Sequence, residues 1–298
     1  IDSEGVTVSR KPVQVAQLED SPATVTLDVL GNLFRSEPSS QSQSGSGSFI
    51  NTSLRKDVGL VTSKGRILRV HVSDLPAMSA GVSTTASSAD KFLGLSGESV
   101  VGIAEWLSDA TYAIGTSNGV VKRLTGPFPD KEEVEVMGLK DGDKIVAFTI
   151  AQDGSELCFV TSNANVLIFP AASVRPQGLS AGGMSGITAS NSRVISFGVV
   201  DSDTHLVTAA NSSLALGSTD PGAIKITPVA NYPRKGRGTQ GVKCHRFLKN
   251  QDQLYFAGLS SASPVLLNLD GSELAAVEID QRRDGSGLAI DEYLAAAF

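Results

Sequence analysis

Residues 116–124, Thr-Ser-Asn-Gly-Val-Val-Lys-Arg-Leu, contain the pattern that decides the fold of this chain. The apolar run Tyr112-Ala113-Ile114 precedes them, Asn118-Gly119 tolerates positive φ, and Val120-Val121 resumes a β-branched run. This order is typical of a strand, a tight turn and a return strand. Residues 62–70 repeat the pattern almost residue for residue. Fainter copies lie at 28–36, 161–169, 209–216 and 260–267.

The copies recur at the spacing of propeller blades. The turn glycine, or the residue aligned with it, stands at positions 31, 65, 119, 164, 212 and 263, in steps of 34, 54, 45, 48 and 51 residues. A polar residue pair followed by a β-branched pair, at 98–101, 143–146 and 192–195, recurs after 45 and 49 residues. One four-stranded blade has about this length. We therefore predict an all-β, propeller-like ring of about six four-stranded blades, forming a single domain over 1–298.

Composition restricts the alternatives. No apolar run approaches the length of a membrane span, and no stretch carries a sustained apolar period of 3.6 residues. Residues 291–298 are interpreted as a short helical tail or a frayed end. The N-terminus has neither an initiator Met nor a signal-peptide pattern, so we interpret the chain as a fragment of a longer polypeptide. Cys158 and Cys244 lack a CxxC spacing, which favours reduced thiols, with a disulfide between them as the alternative.

Charge is segregated along the chain although the formal net charge is −6. Residues 221–251 contain no acid and seven basic residues: Lys225, Arg234, Lys235, Arg237, Lys243, Arg246 and Lys249. Such segregation is typical of an electrostatic footprint for an anionic partner. Gly236 to Gly241 fits G-x-G-x-x-G but lacks the flanking parallel strand and helix of a dinucleotide site. We interpret it as a glycine-opened loop whose N–H groups and cations meet phosphates; a solvated basic turn is the alternative.

Four further cations stand at or just after the hairpins: Arg66, Arg69, Lys122 and Arg123. Equivalent positions of a ring fall on one rim, so these side chains are predicted to form a basic stripe, unless they merely solvate strand ends. Residues 130–135 are an acidic loop. The three histidines are scattered and no nucleophile–base set can be nominated, so we expect neither a metal site nor catalysis in this chain.

With these residues in view, the whole chain resembles the C-terminal β-pinwheel of bacterial type IIA topoisomerase A subunits (the gyrase A and topoisomerase IV A family). Residues 62–70 and 116–124 are similar to the family's blade repeat. Residues 232–242, Tyr-Pro-Arg-Lys-Gly-Arg-Gly-Thr-Gln-Gly-Val, are similar to its Tyr-Pro-x-x-Gly-Arg-Gly-x-x-Gly-Val inter-blade loop. Val174 to Gly178 with Gly182 to Ile187 resembles a related loop one blade earlier.

The resemblance implies binding and bending of duplex DNA without strong sequence preference. We predict phosphate contacts from Arg234, Lys235, Arg237, Lys243, Arg246 and Lys249, extended by Arg69, Lys122, Arg123, Arg175, Arg282 and Arg283. The family's catalytic tyrosine would lie outside this chain, so the fragment itself is not an enzyme. Implied partners are the ATPase B subunit of a heterotetramer and the N-terminal catalytic region of the same polypeptide, with no membrane. The resemblance further implies that the domain needs no cofactor, that the parent enzyme uses ATP and Mg²⁺, and that the protein is cytoplasmic.

One departure from the family separates two activities. Gyrases resemble one another in a first-blade box, Gln-Arg-Arg-Gly-Gly-Arg/Lys-Gly, that anchors a full DNA wrap for supercoiling. The matching segment here, 36–48, has no Arg or Lys, and residues 281–287 echo the box incompletely. The chain is therefore more similar to the A protein of topoisomerase IV, whose domain presents the transported DNA segment for relaxation and decatenation. The alternatives are gyrase-type wrapping and a protein-interaction propeller.

Overall fold

A computed structural model describes residues 19–38, 47–78, 87–214, 220–260 and 263–298. Nearly all regular structure in these ranges is β, which confirms the predicted all-β class. The helical exceptions are α1 (Ala89–Phe92) and three single-turn 3₁₀ helices at Val72–Asp74, Ala171–Ser173 and Val229–Asn231. Within the described ranges no helix is long and apolar enough to cross a membrane.

Five blades share one four-stranded antiparallel plan. Two strands form a hairpin: β1 (Pro22–Leu27) with β2 (Asn32–Ser36), β4 (Asp57–Thr62) with β5 (Arg66–His71), β8 (Thr111–Thr116) with β9 (Val120–Thr125), β12 (Glu156–Thr161) with β13 (Asn165–Pro170), and β16 (His205–Asn211) with β17 (Ala223–Pro228). An inner strand pairs with the first hairpin strand: β3 (Ser48–Ser53), β7 (Val100–Glu105), β11 (Ile145–Ile150), β15 (Val194–Val200) and β19 (Gln253–Ser260). A short outer strand pairs with the second: β6 (Ser87–Ser88), β10 (Glu133–Glu135), β14 (Met184–Ser185), β18 (Val242–Lys243) and β21 (Leu288–Ala289).

The outer strand of every blade comes from the next repeat of the sequence. β14, for example, closes the blade built on β8 and β9, but it follows the β12–β13 hairpin in the chain. The same exchange places β6, β10, β18 and β21 on the preceding blade. Each blade is therefore completed only when its neighbour is present.

One hydrogen bond repeats at all five exchange points. The carbonyl of the residue that ends the hairpin turn accepts the N–H of the first residue after the outer strand. In the third blade Gly119 accepts from Gly186 at 2.8 Å. The other four pairs are Ala89 to Gly31, Val136 to Gly65, Cys244 to Ala164 and Ile290 to Gly222. The accepting residues have φ between 61° and 86°, the left-handed region that favours glycine. The turn glycine thus anchors the incoming chain as well as reversing its own strand.

The Thr-Ser pair before the turn has its own partner. Thr116 Oγ1 and Ser117 Oγ each donate to the Asp143 carboxylate at 2.8 Å, and Asn118 N–H donates to it at 2.9 Å. Because Asp143 precedes the inner strand β11, these bonds fix the turn to the inner edge of its blade.

The core lies between successive blades rather than within one sheet. Consecutive inner strands contact one another from β3 through β7, β11, β15 and β19. Between the second and third blades, Tyr112 stacks on Phe148 with ring centroids 4.7 Å apart, and Trp106 lies 5.4 Å from Phe128. The return strands β9, β13 and β17 are buried on both faces, so polar side chains on these strands can also be internal.

The last two blades differ from the sequence prediction. The fifth hairpin, predicted at 209–216, has β16 ending at Asn211 and its return strand starting only at Ala223, after Gly222. The described residues of the predicted hairpin at 260–267 belong to two sheets, because Ser260 ends β19 and the next strand is β20 (Leu266–Asn268); residues 261–262 lie outside the described residues.

A sixth sheet completes the series. In the described residues it has two strands, β20 and β22 (Leu294–Ala297), so half of the end that was predicted to be helical or frayed, 291–298, is instead a strand. Its turn is at Asp270-Gly271, where Gly271 N–H donates to Asn268. A methyl group on Gly271 would lie 3.7 Å from Leu30 Cδ1, which places this turn beside the first hairpin.

We predict that Gly119→Ala destabilises the domain more than Gly142→Ala. Both glycines have positive φ (+84° and +73°), so each substitution costs about 1–2 kcal/mol of backbone strain. A Cβ at Gly119 would also lie 2.3 Å from the Ile187 carbonyl oxygen, whereas nothing lies within 4 Å at Gly142. Displacing the incoming chain adds about 1–3 kcal/mol. Urea unfolding of both variants measures the difference, and equal losses would contradict this role of the turn.

Candidate nucleic-acid interface

We call the residues that lead into and form an outer strand the cover segment of that blade: 127–135, 175–185, 233–243 and 279–289 for the second to fifth blades. The fourth-blade cover segment contains four basic residues and no acid. It lies closely against β13, because Lys235 N–H donates to the Ile168 carbonyl at 3.0 Å. At Gly241 a Cβ would be 2.2 Å from the Val166 carbonyl oxygen, so only glycine permits this approach.

Arg234 is largely occupied within the protein. Its Nε and Nη2 donate to both carboxylate oxygens of Glu156 at 2.6–3.0 Å, and Nη1 donates to the Val229 and Tyr232 carbonyls. The hydrogen bond to Glu156 raises the pKa of Arg234 further above its ordinary value. This side chain, predicted as a main phosphate contact, therefore ties the cover segment to β12.

Lys235, Arg237 and Lys243 are exposed on the same segment. Arg237 Nη1 donates to the Ser185 carbonyl and Lys243 Nζ to the Asn163 carbonyl, both at 2.6 Å. These bonds orient the two side chains and leave other N–H donors free for solvent or a ligand. The ion pairs formed within the described residues include none of these three cations, so their charge is not compensated by a contacting carboxylate.

Hydrogen bonds join the cover segments of three neighbouring blades. Gly238 N–H donates at 2.6 Å to the carbonyl of Gly186, which directly follows the third-blade cover segment. On the other side, Arg246, three residues after the fourth-blade cover segment, donates its N–H at 3.0 Å to the Gly285 carbonyl of the fifth-blade cover segment. The predicted cations Arg175, Arg246, Lys249 and Arg283 are exposed along or beside this surface. Arg282 is also exposed but pairs with Asp280 at 2.9 Å.

Lys122 and Arg123 are corrections to the prediction. Lys122 is fully buried and Arg123 is 2% exposed, because both faces of β9 pack against neighbouring segments. Arg123 Nη1 donates to the Ala171 and Val174 carbonyls at 3.1 Å, and Nη2 pairs with Asp153 at 2.7 Å. Neither side chain is available to a phosphate.

Arg69, which was predicted to extend the basic stripe, is instead paired with acidic side chains. Its guanidinium donates to Asp57 and Asp130 and lies 5.5 Å from the Trp106 ring centroid. Arg66 pairs likewise with Glu98 and Glu133. The second-blade cover segment is acidic, so this part of the rim neutralises its own cations. The basic surface therefore lies on the third to fifth blades.

Sequence reasoning missed the buried position of Lys225. It is 1% exposed, and its Nζ donates to the carbonyls of Cys244 at 3.0 Å and Arg283 at 3.1 Å. Burial lowers the pKa of Lys225 to about 8, and burial lowers that of Lys122 to the same value. The sequence does show that Lys122 and Lys225 occupy equivalent positions, because both stand three residues after a turn glycine.

The remaining unusual groups beside Lys225 are structural. Burial, and then the charge of Lys225, lowers the pKa of His245 to about 4, so its imidazole is neutral at neutral pH. Its Nε2 lies 3.2 Å from the Ser286 carbonyl, which can only accept, so Nε2 carries the proton. Cys158 and Cys244 are buried free thiols, as predicted. The described residues contain no group of three or more potential metal ligands.

Part of this chain matches a known family model and two relatives in sequence. The model of the DNA gyrase C-terminal domain, a β-propeller, matches residues 58–90, 155–201 and 219–253. The gyrase A protein of Mycobacterium tuberculosis is 28% identical over 227 residues, which cover 72% of this chain and 25% of that protein. Topoisomerase subunit TopoM of Mycolicibacterium smegmatis is 31% identical over 167 residues, covering 55% of this chain and 21% of that protein.

Solved structures share the fold. The crystal structure of the C-terminal domain of DNA topoisomerase IV superposes with a TM-score of 0.75 at 16% identity, covering 95% of this chain and 94% of that one. The DNA gyrase A C-terminal domain superposes with a TM-score of 0.62 at 15% identity, covering 93% and 99%. In sequence the chain is similar to the DNA gyrase A C-terminal domain over part of its length, and it shares its fold with the C-terminal domains of topoisomerase IV and gyrase A. It spans about a quarter of the length of the relatives it matches in sequence.

The first-blade segment 36–48, which the sequence analysis expects to separate the two activities, is described only at its ends. Ser36 ends β2 and Ser48 begins β3, whereas residues 39–46 lie outside the described residues. The weakened first-blade anchor therefore stays a prediction from sequence.

We predict that Arg123→Ala lowers the free energy of unfolding by about 2–5 kcal/mol, because the Val174 carbonyl loses its side-chain donor and an internal cavity remains. Asp153→Ala removes only the partner carboxylate, which is 83% exposed, and should cost less than about 1 kcal/mol. Chemical denaturation of this pair tests the correction. A loss below about 1 kcal/mol in both variants would indicate that the Arg123 side chain is exposed and would contradict its buried position.

Proposed function

We propose that this C-terminal domain binds double-stranded DNA along the cover segments of the third to fifth blades. The observation that carries the proposal is a continuous surface of exposed cations at Arg175, Lys235, Arg237, Lys243 and Arg246. Within the described ranges, none of these five side chains forms an ion pair with a carboxylate. Phosphate is the anion that such a spaced series of Lys and Arg side chains recognises along a duplex.

Binding without strong sequence preference follows from the shape of these segments. They lie flat on their blades, and a Cβ at Gly236 would meet no atom within 4 Å, so the backbone there is open to an approaching ligand. Direct reading of base pairs requires a helix or a ribbon that enters the major groove. The cover segments present loops and two-residue strands instead, which suit backbone contacts.

The charge distribution favours a partial DNA path. The basic surface covers three neighbouring blades, and the acidic second-blade cover segment would repel a duplex that continued around the ring. Bending 20–30 base pairs by 40–90° costs roughly 1–6 kcal/mol, which phosphate contacts must offset. We therefore propose that the domain bends a duplex and helps present the transported segment for relaxation and decatenation. Its partners in the whole enzyme would be the N-terminal catalytic region and the ATPase B subunit.

Two observations favour the alternatives. The superposition with the gyrase A C-terminal domain and the sequence similarity to gyrase A proteins favour gyrase-type wrapping. The acidic edge at Asp130, Glu132, Glu133 and Glu135 favours docking of a basic protein partner.

A steep salt dependence is the first expected result. Affinity for a mixed-sequence duplex should fall about 10³-fold or more between 50 and 200 mM salt if six or more phosphates are contacted. Replacing Lys235, Arg246 and Arg283 by Ala should reduce the slope of log affinity against log salt by roughly 2–3. The matched control replaces three exposed lysines outside this surface, Lys56, Lys64 and Lys91, and should leave the slope nearly unchanged. Equal slopes for the two triple variants would argue against this interface.

DNA topology separates bending from wrapping. Nicked circles are ligated with the domain bound, and their linking numbers are compared with those from a gyrase A C-terminal domain. A basic surface on three blades should give a smaller shift per bound domain than a full wrap. A shift as large as that of the gyrase domain would support the wrapping alternative.

A further inference from the structure

Two buried lysines occupy the same position in different blades and make the same kind of bridge. Lys122 and Lys225 each stand three residues after the glycine that ends the hairpin turn. Lys122 Nζ donates to the Val136 carbonyl at 2.7 Å and to the Leu179 carbonyl at 2.5 Å. Val136 directly follows the second-blade cover segment, and Leu179 lies in the third-blade cover segment. One ammonium thus joins the cover segments of two neighbouring blades.

Lys225 repeats this bridge at the centre of the basic surface. Its Nζ donates to the carbonyls of Cys244, which directly follows the fourth-blade cover segment, and of Arg283, which lies in the fifth. Thr227 Oγ1 and the Tyr232 hydroxyl complete its surroundings. The two carbonyls flank exposed cations: Arg283 itself on one side, and Lys243 and Arg246 on the other.

The fold does not require a lysine at this position. The equivalent residues are Leu68 in the second blade and Leu167 in the fourth, and Leu167 is as fully buried as the lysines. A buried ammonium costs free energy that a leucine does not, unless hydrogen bonds offset it. What the lysines supply is therefore the tie between the carbonyls of adjacent cover segments.

We propose that Lys225, and to a smaller extent Lys122, are positioning residues of the DNA interface, whose protonated ammonium groups hold neighbouring cover segments in register for the duplex. The inference rests on the proposed DNA binding. Lys225 has the larger effect because the cover segments that it joins carry Lys243 and Arg283 and lead directly to Arg246.

The surrounding groups allow a pH test. The titratable or charged groups facing Lys225 are Tyr232, Cys244, His245, Asp280, Arg282 and Asp284, and the one facing Lys122 is Glu135. Burial raises the pKa of Tyr232 above its ordinary value and that of Cys244 to about 12, while His245 is neutral above about pH 4. The lysines, with pKa lowered by burial to about 8, are thus the groups of this cluster that titrate between pH 7 and 9.5.

Duplex affinity and fold stability should respond to this titration in opposite directions. A bound polyanion favours the protonated ammonium, so affinity decreases as pH rises through 8. The unfolded lysine keeps its ordinary pKa of 10.5, so between pH 8 and 10.5 the unfolded chain binds more protons than the folded one. The contribution of each lysine to the free energy of unfolding therefore increases with pH over that window.

The experiment measures binding of a labelled, mixed-sequence duplex of roughly four helical turns to the 298-residue chain from pH 7 to 9.5 at constant ionic strength. We expect a decrease of roughly 2- to 30-fold for the unmodified chain, the range for residues that act through packed neighbours. Lys225→Met, which keeps the volume but not the ammonium, should weaken binding at pH 7 and remove most of the pH dependence. Lys64→Met removes an exposed lysine and should retain the full pH dependence.

The outcomes separate this inference from the proposed function. If the unmodified chain does not bind the duplex with a steep salt dependence, the proposed function fails. If it binds, but its affinity is constant from pH 7 to 9.5, or Lys225→Met keeps the same pH slope, the positioning role is wrong while DNA binding stands. If Lys225→Met fails to fold, the test uses Lys122→Met and the pH profile of the unmodified chain. A smaller pH dependence in Lys122→Met than in the unmodified chain would support the positioning role, and an unchanged one would contradict it.

Discussion

The hydrogen bond from the first residue after each outer strand to the carbonyl that ends a hairpin turn is the interaction on which the ring depends. Four of the five outer strands are only two residues long, so ladder hydrogen bonds alone hold them weakly. The additional bond at Gly31, Gly65, Gly119, Ala164 or Gly222 fixes where the incoming chain meets the blade. It needs a carbonyl presented by a residue in the left-handed region, which explains why the turn glycine recurs more clearly than any side chain.

Local patterns predicted the blades where each hairpin is short. Around Gly65 and Gly119, only three residues separate the two strands of the hairpin, so strand alternation and turn chemistry lie close together in the sequence. Around Gly222 they do not, because eleven residues separate β16 from β17 and the pattern at 209–216 mixes a strand end with the loop. The exchange of outer strands was not predictable, since Met184-Ser185 or Val242-Lys243 is too short to carry a periodic signal.

The candidate site was predictable where charge is dense and chain geometry is simple. The basic run at 233–243 has no acid, so its exposure needed no tertiary information. Lys122 and Arg123 were misassigned because a strand between two blades has two buried faces, which sequence alternation cannot reveal. Arg69 was misassigned because one of its partners, Asp130, lies 61 residues away. Ion pairing over that separation depends on the ring itself.

Strand exchange means that the unit of inheritance in the sequence differs from the unit in space. The edge of the fourth blade that carries Lys235 and Lys243 is encoded within the fifth repeat, after the β16–β17 hairpin. Duplicating, deleting or recombining one repeat of about 48 residues would therefore transfer a hairpin to one blade and a charged surface to the blade before it. In such a ring, the hairpins that build the blades and the charged segments that cover them can change separately. The charge on the outer edge of a blade is determined by the residues of the next repeat in the sequence.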